Sequence, residues 1–285
     1  SQDPARVTAG ALLSTAYYYR MLQLMSRYAK LSGHTADIDE YQRLATQVKA
    51  AFVKAYFKQD QNRFDNGTQT SSVLPLAFDL TPSANRDAVF QNLVNKIEKE
   101  SDNHVGVGLV GAQWLMRTLS DNGRADLALT IATQKTYPGW GYMVQKDATT
   151  VWELWNGDTA DPAMNSGNHV MQIGDLGLWM YEYLAGIRSD PDSPGFQHFT
   201  IKPYAVDSLS FAKATHRSPY GLISSSWKRE KGKFSLSVTV PVNTTATVTV
   251  PALNVLGTAG LKPTRVEGNT SIFEVGSGQF TFQQQ

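Results

Sequence analysis

The sequence predicts an array of antiparallel helix pairs followed by an antiparallel β-sandwich. Two changes along the 285 residues carry this reading. Apolar residues recur at helical spacing through the first two thirds, and from Phe196 onward the period falls to two. Between them, residues 188–195 are rich in Pro, Asp and Ser, which marks a domain boundary. The division expected is 1–190 helical and 191–285 sandwich.

The elements follow in order. Leu13, Ala16, Tyr17, Leu24 and Tyr28 place a first helix over 8–31, closed by Gly33. Ile38, Tyr41, Leu44, Val48 and Phe52 form the apolar stripe of a second over 37–57. Further helices are expected at 69–79, 85–100, 108–122, 124–135 and 166–185, with Ser83 and Asp121-Asn122-Gly123 as cap and turn signals. The connections are short except at 58–68 and 137–165. Helical hairpins in series form a curved array. A closed toroid of six pairs needs twelve helices, so about seven helices leave it partial. Beyond Phe196, alternating runs at Phe199-x-Ile201, Leu209-x-Phe211, Leu222-Ile223, residues 234–240 and Val248-x-Val250 read as strands, with a turn at 241–245.

Composition narrows the function. An apolar fraction of 41% suffices for a buried core, and a net charge of +1 gives no excess to neutralise a phosphate backbone. Nucleic acid is therefore not expected as partner. No apolar run is long enough to span a membrane. The absence of cysteine excludes disulfides, thiolate nucleophiles and Cys-ligated zinc. The start Ser1-Gln2-Asp3-Pro4 reads as a processed or trimmed product. The abundance of Thr, Asn, Gln and Ser slightly favours a periplasmic or secreted location.

The densest chemistry lies in three runs: Tyr137-Pro138-Gly139-Trp140-Gly141-Tyr142, then 148–155 with Trp152-Glu153-Leu154-Trp155, then Asn165-Ser166-Gly167-Asn168-His169. They hold three of the six tryptophans, a Glu between two of them, and a His, on a largely irregular segment. Aromatic faces stack on pyranose rings, while a carboxylate and an imidazole bind hydroxyls or move protons. The residues alone leave a second reading open: Trp152 and Trp155, three apart, as one buried helical face with Glu153 solvated opposite.

The run Thr149-Thr150-Val151-Trp152-Glu153-Leu154-Trp155 resembles the segment bearing the catalytic base of the inverting α-L-rhamnosidases, glycoside hydrolase family 78. Gly106-Val107-Gly108-Leu109-Val110-Gly111, Tyr137 to Tyr142, Asn168-His169, Leu184-Ala185-Gly186-Ile187, Pro194-Gly195-Phe196, Ile201-Lys202-Pro203 and Ser218-Pro219-Tyr220-Gly221 agree in order, over nearly the whole chain. The resemblance implies an (α/α)6 toroid, partial in this chain, followed by a C-terminal β-sandwich. It implies Glu153 as general base, with Trp140, Trp152 and Trp155 lining the rhamnose pocket and His169 bonding the sugar. No cofactor or metal is implied. The chain departs from the family pattern at Gly139 (usually Ser), Asp147 (often Gly) and Val170 (often Tyr). The family's general acid sits in an Asp-Cys-Pro-Gln-Arg type motif ending in Glu, which these residues lack. The expected partner is therefore a missing N-terminal part of the same enzyme, besides the carbohydrate itself.

An inverting glycosidase needs two carboxyl groups roughly 6.5–9.5 Å apart. The flanking tryptophans are expected to desolvate Glu153 and raise its pKa. Asp147, Asp158 and Asp161 are nearby in sequence but are expected to make turns. His34, His104, His198 and His216 lack metal-ligand spacing and read as surface or turn residues. Gly106-x-Gly108-x-x-Gly111 has dinucleotide-fingerprint spacing but no βαβ context, and reads as a tight helix start near the pocket. The sandwich is expected to brace rather than bind. Two rivals stay open: a carbohydrate-binding or scaffold protein without catalysis, and a toroidal glycosidase for another sugar such as an unsaturated uronide. The latter calls for a cation near the aromatics, where only Lys146 stands.

Overall fold

The computed structural model describes residues 7–285 and divides the chain into two compact units, one reaching Ile173 and the other spanning Gly174–Gln285. In the first, α1 (Gly10–Ser32) and α2 (Ile38–Tyr56) pack as a hairpin, as do α3 (Gln69–Ala77) with α4 (Arg86–Asn95) and α5 (Leu109–Asp121) with α6 (Ala125–Thr133). The leading helices α1, α3 and α5 also pack on one another in series, forming one layer. Burial follows from that position. Every residue of α3 from Gln69 to Leu76 is buried, whereas Phe52 is the buried residue of α2.

The leading helices all present their N-termini at one end. The Thr8 and Thr68 hydroxyls, beside the starts of α1 and α3, meet at 2.7 Å, and Asn66 Nδ2 donates to the Val7 carbonyl. Thr68 caps α3 by accepting from the Ser71 N–H. At the start of α5, Gly106 N–H donates to Gln69 Oε1 at 2.9 Å. A Cβ at Gly111 would stand 2.4 Å from Thr70 Oγ1, so the glycine run permits close α3–α5 approach. This is the tight helix start expected of that motif.

Local chemistry sets the remaining ends. Gly33 closes α1 in the left-handed region at φ 79°, and Gly123 turns the chain between α5 and α6 at φ 83°. Ser83 opens a 3-10 turn without a side-chain cap bond, so its role is positional only. A π-helical turn (Lys96–Glu100) continues α4 to the predicted limit. Three elements escaped the periodicity: the two-residue strands β1 (Phe57–Lys58) and β2 (Arg63–Phe64), and the helix α7 (Trp140–Gln145). All three are too short to show a period. The last helix begins at Val170 rather than 166: α8 (Val170–Trp179), followed by a π-helical turn (Met180–Leu184). Among the described residues no helix is long and apolar enough to cross a membrane.

The second unit carries two five-stranded sheets. One has the order β10 (Arg265–Glu267), β11 (Thr270–Val275), β8 (Thr245–Val250), β4 (His198–Ile201), β3 (Ile187–Ser189). The other runs β5 (Phe211–Ser218), β6 (Gly221–Glu230), β7 (Lys233–Val240), β12 (Gly278–Gln284), β9 (Val255–Gly257). Alternation along β7 buries Phe234, Leu236, Val238 and Val240, and Phe273 meets Phe282 between the sheets at 4.6 Å. The sandwich departs from the antiparallel expectation at one pair: β4 and β8 run parallel, because residues 202–244 cross to the other sheet and return. The turn at 241–245 thus passes between sheets rather than closing a hairpin.

Candidate active site

The three aromatic runs meet in the first unit. Trp140 opens α7 and is 4% exposed, its ring edge-to-face with Trp155 at a centroid distance of 4.9 Å. Trp155 Nε1 donates to the Val107 carbonyl at 2.9 Å. That bond seats the irregular segment on the start of α5, at the end where the leading helices begin. Trp152 lies against Gly157, where a Cβ would stand 2.6 Å from the indole. The segment from Val151 to Ala160 is not helical, so Trp152 and Trp155 do not form one helical face.

Glu153 sits on a short ladder between residues 151–154 and 165–169. Its N–H donates to the Ser166 carbonyl at 2.9 Å, and the His169 N–H donates to the Val151 carbonyl at 2.7 Å. The Leu154 N–H donates to Asn165 Oδ1. The Glu153 carboxylate accepts from the Ser166 N–H through Oε2 at 3.1 Å, while Oε1 accepts no bond from the described residues. The desolvation expected from its neighbours is absent: Glu153 is exposed, because Trp152 turns to Gly157 and Trp155 to Trp140 and Val107.

The other predicted residues divide. His169 is half-buried beside Glu153 on the ladder, and its Nδ1 has no hydrogen-bond partner among the described residues. Trp155 and Trp152 are half-buried, whereas Trp140 is covered and backs Trp155. Two of the nearby aspartates have engaged carboxylates, and the third occupies a turn. Asp161 Oδ1 accepts from the Ala163 N–H to start a 3-10 turn. Asp147 holds φ 54° after α7, the left-handed position where the family pattern often has Gly and which Asp tolerates. Asp158 accepts from the Tyr142 hydroxyl at 2.8 Å, with Lys146 Nζ 3.4 Å away. That hydroxyl, then Lys146, holds the Asp158 carboxyl below its ordinary range, so it stays ionised near neutrality. Lys146 is thereby engaged as well. Sequence reading missed Gln172, a buried side chain whose Nε2 donates to the Glu153 carbonyl at 2.9 Å; a lone Gln on an apolar helix carries no motif.

His34, His104 and His198 bond locally to Ser32, to Ser101 and Thr136, and to Thr245 and Thr247. Among the described residues no group of three or more His, Cys, Asp or Glu is placed to hold a metal ion.

The chain is similar to known proteins over most of its length. Residues 1–184 match the bacterial α-L-rhamnosidase 6 hairpin glycosidase domain, and residues 186–260 match the bacterial α-L-rhamnosidase C-terminal domain. An α-L-rhamnosidase of Streptomyces avermitilis is 37% identical over 279 residues, which are 95% of this chain and 26% of that protein. One from Formosa agariphila is 36% identical over 252 residues, 87% of this chain and 27% of that protein. In structure, the chain is similar to Streptomyces avermitilis α-L-rhamnosidase complexed with L-rhamnose, with a TM-score of 0.89 at 35% identity, covering 96% of this chain and 27% of that one. It is also similar to α-L-rhamnosidase from Dictyoglumus thermophilum, with a TM-score of 0.88 at 32% identity, covering 95% of this chain and 31% of that one. The chain thus spans about a quarter of the length of the relatives it matches. With a six-hairpin model matched over most of its helices and a C-terminal model over strands β3 to β9, the chain belongs to the bacterial α-L-rhamnosidase family of six-hairpin glycosidases.

Proposed function

We propose that the polypeptide carrying this chain hydrolyses terminal α-L-rhamnosides with inversion, and that Glu153 is its general base. One observation carries the reading: an exposed carboxylate is oriented by the Ser166 N–H through one oxygen, with the other free to take a proton from water. Trp155 and Trp152 beside it offer faces for the sugar, Trp140 supports Trp155, and His169 supplies a ring nitrogen for a hydroxyl. The paired carboxylic acid of an inverting mechanism protonates the leaving oxygen. Asp158 and Asp161 are engaged elsewhere and Asp147 sits at a left-handed turn, so we place that acid on an N-terminal part of the enzyme beyond these residues.

The exposed face of α1 supports such a part. Tyr18, Met21, Met25, Tyr28 and Leu31 recur at helical spacing and are all exposed, a stripe about 20 Å long. Nearby, Arg20 and Arg117 lie over Trp114 at 5.9 and 4.9 Å and have no carboxylate partner among the described residues. Burial, then Arg27, holds the Arg20 guanidinium below its ordinary pKa. The occupant this face fits is a helix of the remaining hairpins, apolar on one side and carrying a carboxylate for the arginines. A second copy of the chain would instead oppose arginine to arginine. In this reading the helices up to Leu184 belong to the catalytic toroid, and the strands from β3 onward form a sandwich with a bracing role.

The test is release of phenol from an aryl α-L-rhamnoside by the active polypeptide and its Glu153→Gln variant. Loss of a general base lowers the rate by about 10²–10⁴. A variant matching wild type removes Glu153 from the mechanism. Sugar binding without hydrolysis, unchanged in Glu153→Gln, establishes the second reading, a non-catalytic carbohydrate-binding fragment. That reading is favoured for the chain alone by the engagement of Asp158 and Asp161. Preference for an unsaturated uronide would mark a different toroidal glycosidase, for which the engaged Lys146 gives no free cation.

A further inference from the structure

We infer that Gln172 is a positioning residue for Glu153, an inference that rests on Glu153 being the base. The Glu153 segment is irregular, and most of its bonds go to another irregular segment. Its N–H and Oε2 both pair with Ser166, and the adjacent Leu154 N–H pairs with Asn165. Two loops bonded to each other hold a mutual register, but they can shift together. A fixed point requires a rigid element.

Gln172 supplies it. The residue lies in the first turn of α8 and is 2% exposed. Its Nε2 donates to the Glu153 carbonyl at 2.9 Å, and its backbone N–H donates to the His169 carbonyl at 3.2 Å. One helical residue thus ties down the peptide of the base and the residue proposed to bond the sugar. A primary amide is costly to bury without partners, so an apolar residue is the ordinary occupant of such a place. Leu or Met would fill the space but leave the Glu153 carbonyl without its donor. Catalytic groups must be held within about 0.5 Å of their productive position, and a 1 Å displacement costs about 10²-fold in rate. Gln172 touches neither substrate nor water in this role; it acts through the peptide of Glu153.

The experiment compares wild type, Gln172→Met and Gln172→Asn in the active polypeptide with an aryl α-L-rhamnoside. Met keeps the length and apolar bulk but has no donor; Asn keeps the amide but is one methylene too short to reach. Both are expected to lower kcat by about 10–100-fold while KM stays within about twofold, since the sugar-facing groups are unchanged. In parallel, amide hydrogen exchange in the 285-residue chain is expected to quicken at Glu153 and Leu154 in both variants, with the exchange of the β-sheets unchanged. Wild-type kcat in a folded Gln172→Met variant overturns the inference, as does unchanged exchange at Glu153. An inactive wild type, or an active Glu153→Gln variant, overturns the proposed function instead, and exchange alone then shows whether Gln172 holds the segment.

Discussion

The carbonyls of Leu184 and Ala185, at the end of the π-helical turn after α8, are capped by two side chains of β6. Ser225 Oγ donates to Ala185 O at 2.7 Å, and Trp227 Nε1 donates to Leu184 O at 2.6 Å. Helix ends leave their last carbonyls without intrahelical partners, and here both donors are only 1% exposed. Ser225→Ala removes a hydroxyl and leaves a buried acceptor unpaired, a cost of about 1–3 kcal/mol. Trp227→Phe does the same and also empties roughly 40 Å³ beside Phe234, adding about 1 kcal/mol at 24 cal/mol per Å³. The Trp227→Phe variant is thus expected to lose about 2–4 kcal/mol, and Ser225→Ala somewhat less. For a unit of this size each kcal/mol lowers Tm by about 4 °C. Urea and thermal unfolding followed by circular dichroism measure both. Because the two donors cap one helix end, the double variant should deviate from additivity by more than about 0.5 kcal/mol. If either single variant stays within about 0.5 kcal/mol of wild type, the carbonyls find other partners and the capping argument fails.

Gly157→Ala puts a methyl into the Trp152 indole. It is expected to shift the tryptophan emission, to cost about 1–3 kcal/mol of stability by overpacking, and to weaken the proposed rhamnose binding; unchanged binding by titration calorimetry would remove Trp152 from the proposed pocket. Gly186→Ala meets the Lys202 and Pro203 backbone at 2.3 Å from a left-handed φ of 82°, and should lower stability by more than about 2 kcal/mol in denaturant melts. Asp158 has a folded pKa below its unfolded value, so its bond to Tyr142 favours the fold fully above the unfolded pKa of about 3.9 and is lost as pH falls through the folded value. Tyr142→Phe should therefore flatten the acid limb of the stability curve below about pH 4, and an unchanged limb would contradict the assignment. Met25→Glu on the exposed α1 stripe should change the stability of this chain by less than about 0.5 kcal/mol while weakening its association with the remaining hairpins, read by analytical ultracentrifugation.

The parts of the fold legible in sequence were those in which one period persists. Ile38 through Phe52 repeat over four turns, and Phe234 through Val240 alternate over a whole strand, so α2 and β7 could be placed from the pattern. The pairing of β4 with β8 was not legible, because a parallel neighbour is set by a crossover of more than forty residues and leaves no local mark. Helix α7 was hidden for a related reason. Six residues starting at Trp140 complete fewer than two turns, and their two aromatics pack on different partners, Trp140 on Trp155 and Tyr142 on Tyr137, rather than along one stripe. At the site, residue identities suggested which side chains gather, but not their solvent exposure. Glu153 between two tryptophans reads as enclosed, yet on a non-helical segment each indole finds its own support and the carboxylate faces outward.

That outward-facing carboxylate bears on how catalysis would be divided. A base and an acid several ångströms apart must be held by elements that do not shift against each other. The base is fastened to α8 by Gln172 and to the start of α5 through Trp155. α5 in turn packs on α3, and α3 on α1, so a rigid layer runs from the proposed base to the exposed apolar face of α1. A helix docked on that face would be referenced to Glu153 through close-packed helices rather than through a loop. The acid would then be positioned by the same layer that positions the base. Charge at Met25 would loosen that reference, lowering kcat without touching a residue of the sugar site.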